Sequence, residues 1–102
     1  MAISTQSGTS YTLVLGDAGS LIQYTNAGAV TLTLPTNASV ALPIGTTTYH
    51  QQTTSGGKVG VVGASGVTVN SAGGFTHTNV QWSVVAAIKT ATNTWVVTGD
   101  RA

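Results

Sequence analysis

Cysteine and glutamate are absent from this chain, and only Asp17, Lys58, Lys89, Asp100 and Arg101 carry a formal charge. With no cysteine there is neither a disulfide framework nor a thiolate metal site, and the redox compartment stays open. Three cations in 102 residues cannot neutralise a run of phosphates, the term that dominates affinity for nucleic acid. No unbroken apolar run is long enough to cross a membrane as a helix. The opening Met1–Gln6 has neither a basic region nor an apolar one, so no signal peptide is read and the chain is expected to be soluble and made in the cytoplasm. A domain that swims freely has roughly a quarter of its residues charged, and those charges keep copies apart. Here 5% are charged, so the working form is expected to be an assembly.

What is present is threonine, serine, glycine and valine, with 41% hydrophobic residues. That fraction argues against a disordered tail, and 10.2 kDa is one domain by length. Apolar residues alternate with polar ones in Val30-Thr31-Leu32-Thr33-Leu34, and again from Val80 through Trp82 and Val84 to Ala86 and Ile88. Period-two alternation is the mark of half-buried strands in an antiparallel sheet. Further strands are predicted over 11–15, 21–25, 47–52, 59–62, 67–70 and 95–98, with glycine-rich turns between nearly all of them. No segment has a capped 3.6-residue stripe, and no internal repeat points to a solenoid. Pro35 and Pro43 cannot donate to a ladder and are placed at strand ends, with 36–42 crossing between sheets. The fold class is all-β: a single-domain antiparallel β-sandwich or small, jelly-roll-like barrel. Residues 1–10 read as an N-terminal arm and 11–102 as the β-sandwich domain.

The candidates for chemistry are few. Asp17 and Asp100 both fall in turns, where aspartate bonds its own backbone. His50 and His77 have no metal-ligand spacing and read as ordinary polar strand residues, although one histidine repeated about a threefold axis would supply three ligands. Gly60, Gly63 and Gly66 have the wrong spacing for a phosphate-binding loop and no helix follows, so strand-turn-strand is the reading. Asn37-Ala38-Ser39 fits a glycosylation acceptor but stands without a secretory signal. Trp82 and Trp95 are assigned to core or interface rather than to sugar stacking. Ala2, Ile3, Ser4, Thr5, Gln6, Tyr49 and Trp82 are the candidates for contacts between copies. No catalytic residue, cofactor, metal, nucleic acid, membrane or small-molecule substrate is expected.

The run Tyr11–Gly19, its continuation Leu21–Tyr24, the phrase Val30–Pro35, then Val40–Gly45, Gly66–Ser71 and the closing Asn93–Asp100 together resemble a module of tailed-bacteriophage structural proteins. The similarity covers about residues 10–100, nearly the whole chain. It implies a virion surface protein, assembled as a homotrimer and without enzymatic activity. Fibre proteins carry this module after a long shaft, whereas only a ten-residue arm precedes it here. That difference fits a capsid decoration (cement) protein better: one that binds the major capsid protein on the outer capsid surface. A fibre-tip module binding a host receptor or glycan is the alternative, and it would show exposed aromatic and polar residues on its loops.

Overall fold

A computed structural model describes all residues, 1–102. Nine strands follow one another: β1 Ile3–Gln6, β2 Ser10–Thr12, β3 Leu21–Tyr24, β4 Val30–Leu34, β5 Thr47–Gln52, β6 Val59–Gly63, β7 Thr68–Ser71, β8 Val84–Ala91 and β9 Thr94–Gly99. Helix is confined to two single 3-10 turns, Leu15–Asp17 and Ala72–Gly74. The chain is one all-β domain. Its larger sheet has the order β1-β3-β5-β8-β9-β7, and the smaller one β2-β4-β6.

From β1 to β6 the chain alternates between the two sheets, so each strand pairs with the strand two ahead of it. Those pairs are parallel: β1 with β3, β3 with β5, β2 with β4, and β4 with β6. The first 63 residues thus wind as three flattened coils. Among the strands, antiparallel pairing enters only where β8 lies against β5 and turns back into β9, and β7 then lies parallel to β9. This corrects the antiparallel reading: the sheets are mixed. Alternation reports which face of a strand is buried, and it is the same for either sense of pairing. The coils also explain why no repeat is visible. Ser4 lies beside Ile22, and Ile22 beside His50, so successive coils differ in length.

Two local expectations are also corrected. Ile3–Gln6 is not a loose arm but an ordered edge strand, its inward side chains being the polar Ser4 and Gln6. Val80–Ser83 is a turn rather than a strand, because Ser83 N–H closes onto Val80 O at 3.1 Å. Elsewhere the pattern holds. Val30, Leu32 and Leu34 face inward, and with Leu13, Ile22, Tyr24, Val59, Val61, Val85, Trp95 and Val97 they build the core. Pro35 follows directly on β4, and Pro43 lies in the crossing that leads to β5.

Candidate interaction surface

Two of the five charges are withdrawn from the surface. Lys89 points inward from β8 and is 2% exposed. Its Nζ donates to Asn37 Oδ1 at 2.8 Å and to Leu42 O at 2.6 Å. Asp17 is buried in its 3-10 turn, where Oδ2 accepts from Tyr11 O–H at 2.6 Å and Val14 N–H at 3.0 Å. Burial, and then the hydrogen bond to this carboxylate, push the Tyr11 phenol upward. That leaves Lys58 and Asp100 exposed and Arg101 half-buried. Asp17 and Asp100 lie at opposite ends of the sandwich, one where β3 begins and one where β9 stops. Both serve turns, as their contexts predict.

His50 lies in a polar seam that the sequence does not single out. The inward face of β5 is Thr48, His50 and Gln52, all fully buried. His50 Nδ1 meets Tyr24 O–H at 2.8 Å, and Nε2 meets Thr48 Oγ1 at 2.7 Å. Burial lowers the imidazole to about 3, so at neutral pH one ring nitrogen donates and the other accepts. Burial also raises the Tyr24 phenol. Further along, Thr78 Oγ1 donates to Gln52 Oε1 at 2.6 Å and accepts from Val59 N–H at 2.9 Å. Every polar group of the seam is matched, so it ties β3, β5 and β6 together. Enclosed in its own fold, His50 cannot reach a symmetry axis. His77 is exposed, and its ring lies over Gly60, where a Cβ would stand 2.8 Å from Nε2. The glycine at position 60 thus makes room for a neighbouring segment in a strand, as the strand-turn-strand reading holds.

No group of three metal-ligating side chains and no concave pocket is present. The features that remain are surfaces. Met1 and Ile3 at the start of β1, Val14 and Leu15 before β3, and Ile44 before β5 are all exposed. The winding brings those strand starts to one end of the sandwich. Of the contact candidates, Ala2, Ile3 and Thr5 are exposed, while Ser4, Gln6 and Tyr49 are half-buried. The register aligns Ile3, Leu21 and Tyr49 side by side on the outer face of the larger sheet. Along its strands that outer face shows Thr, Gln, Asn, Tyr, Leu, Val, Ala and Ile, with no charged residue on it.

Trp82 lies at the other end and is 60% exposed, so it is not core, unlike the fully buried Trp95. Its φ is +75°, at the third position of a turn where type II geometry calls for Gly or Asn. The turn is held on all sides. Trp82 N–H donates to Gln52 O at 2.6 Å, and Gln51 Nε2 donates to Trp82 O at 3.3 Å. Ser83 Oγ accepts from Val80 N–H and donates to Asp100 Oδ2 at 2.6 Å, while Asn79 Nδ2 reaches Asp100 Oδ1. Those two bonds lower the Asp100 carboxyl. Left-handed backbone at a bulky residue persists only where its surroundings over-determine it. The missed signal was Asn79 with Ser83 around the tryptophan, both turn-formers. No family model, curated protein or solved structure matches the chain.

Proposed function

We propose that this protein is a homotrimeric decoration protein of a tailed bacteriophage, binding the major capsid protein on the outer surface of the virion and stabilising the shell. The single observation that carries the reading is a surface with two exposed charges and one half-buried one, on which large apolar side chains stand out. Neutral, threonine-rich faces can be covered without stranding an unpaired ion, the costly outcome of burying charge. Many copies in symmetric positions multiply a weak individual contact. Binding to the mature shell alone stabilises it by mass action. The resemblance of the Tyr11–Gly19, Val30–Pro35 and Asn93–Asp100 phrases to phage structural modules supplies the identity of the shell. The activity consists in covering, and no chemistry is assigned to any residue.

Trp82 favours a second reading, a fibre tip that binds a receptor or glycan, because a strained turn holds an aromatic ring out into solvent. Both readings are tested by imaging particles from a phage that encodes this chain. Decoration gives density for it at regularly repeated positions over the head. Density confined to the tail or to a few fibre tips overturns decoration in favour of the tip.

A further inference from the structure

The two ends of the strand stack are finished differently. Beyond β6, the segment around Thr76–Thr78 supplies the next backbone partner: Val61 N–H donates to Thr76 O, and Thr78 N–H to Val59 O. Ala102 and His77 exchange a further pair of bonds outside that segment. Arg101 Nη1 bonds Ser71 Oγ, Ala72 O and Val97 O at the corner, so at this end only β7 of the larger sheet keeps a bare backbone edge. At the opposite end nothing lies beyond β1 or β2. Ala2 O and Gln6 O bond to β3, so by alternation the N–H and C=O of Ile3 and Thr5 point away from the fold. Thr9 O and Leu13 N–H bond to β4, which leaves those of Ser10 and Thr12 pointing out likewise. Bare edges are templates for another strand, and proteins guard them with lysine, proline, bulges or a covering loop. β1 and β2 have none of these guards. Between them, the Ser4 hydroxyl is buried with no partner.

We propose that this open end is the contact between copies: β1 of one copy pairs with β2 of the next, three times around a threefold axis. The count of three rests on the trimer proposed above. The strand pairing follows from the fold. β1 and β2 run in opposite directions, so a rotation about an axis along the strands brings them together antiparallel. Three sandwiches, each with its sheets about 10 Å apart, can meet at an axis with adjacent strands about 4.8 Å from one another. The outward-bonding groups then match, Ile3 with Thr12 of the partner subunit and Thr5 with Ser10 of the partner subunit. Both edges of every copy are satisfied and the ring closes, as a heterologous contact must if it is not to run on as a fibre. The 66% exposed Ile3 is turned into the wedge between one copy's larger sheet and the next copy's smaller sheet. A twofold contact of β1 with itself would leave that side chain on an open, flat face.

The absence of native cysteine makes the contact directly readable. In a Thr5→Cys/Ser10→Cys double variant the two thiols of one chain sit on opposite outer faces and cannot join. Across a hydrogen-bonded antiparallel pair they fall within disulfide reach. Oxidation of the purified full chain, with no capsid present, should give a covalent three-chain species that reduction returns to one chain. Complete thiol loss that stops at two chains, or no cross-link from a folded variant, overturns the contact. In parallel, Thr5→Lys should lower the solution mass from three chains to one, whereas Thr90→Lys, away from the edge, should leave it at three. An unchanged mass for Thr5→Lys also overturns the contact. A linked trimer found on no capsid would sink the decoration reading alone, and capsids bearing unlinkable single chains would sink this contact alone.

Discussion

The coil half, β1 to β6, and the hairpin half, β7 to β9 with the 75–78 segment and the C-terminus, solve the same problem in opposite ways. Each must end a stack of strands whose last backbone groups need partners. The hairpin half turns the chain back on itself. β8 and β9 close an antiparallel ladder, Thr78 and Ala102 seal the smaller sheet, and Arg101 sits at the outer corner. The coil half stops at β1 and β2 with nothing beyond. A stacked architecture needs a cap at each terminus. The hairpin half covers the smaller sheet from its own sequence and leaves only β7 bare, whereas the coil half leaves both β1 and β2 bare. Each half hides one charge, Asp17 in the coil half and Lys89 on β8 of the hairpin half.

The largest effect is expected where the sealed edge depends on one hydroxyl. Thr78→Val keeps the shape but orphans Gln52 Oε1 and Val59 N–H, both buried. At about 1–3 kcal/mol for each stranded group, the variant should lose about 2–6 kcal/mol in urea unfolding. The same change on the bare edge, Thr5→Val, should move monomer stability by less than about 0.5 kcal/mol at dilutions that keep copies apart. Equal losses at the two edges would erase the contrast between them.

Acid probes the tie between coils. His50 is held at about 3 in the folded chain against 6.5 when exposed. The unfolded chain therefore binds the extra proton first as pH falls below 6.5. Stability conferred by the neutral ring is complete above that value and drains away down to about pH 3. Between pH 6.5 and 4 the loss should be on the order of 2–3 kcal/mol. His50→Gln, which cannot titrate, should flatten that slope in thermal melts across the range. An unchanged slope would mean that other groups set the acid sensitivity.

Smaller effects belong to the corner and the turn of the hairpin half. Arg101→Ala removes four bonds from a half-buried guanidinium and should cost about 1–2 kcal/mol in urea unfolding. Trp82→Gly relieves the positive φ and should stabilise the domain by about 0.5–1 kcal/mol. If the ring serves a tip, the same variant should lose receptor or glycan binding despite its firmer fold; on a decoration protein, head occupancy should survive.

Much of this was legible residue by residue. Val30–Leu34 announced its buried face, and Thr47–Gln52 forms over its expected span. Pro35 marked a strand end, and Gly66, with φ of +90°, a turn. Ile3–Gln6 was not legible as a strand because its inward residues are the polar Ser4 and Gln6, while the apolar Ile3 faces out. Val80–Ser83 misled because alternation is blind to a turn that Ser83 and Asp100 hold in place. Lys89 sits at an inward position of β8, and no local pattern foretells that Asn37 and Leu42 will arrive to receive its ammonium.

By itself the sequence determined that this is a β domain of short strands, which faces of those strands are apolar, where the chain must turn, and how little charge it has to distribute. Those properties belong to side chains and their immediate neighbours. Only the tertiary structure decided that the strands of the first half run parallel in coils, that two charges are hidden, and that the β6 edge is covered while β1 and β2 are left open side by side. Pairing is made by backbone groups that are the same at nearly every residue, so the winding of the chain, rather than its local pattern, chooses their partners.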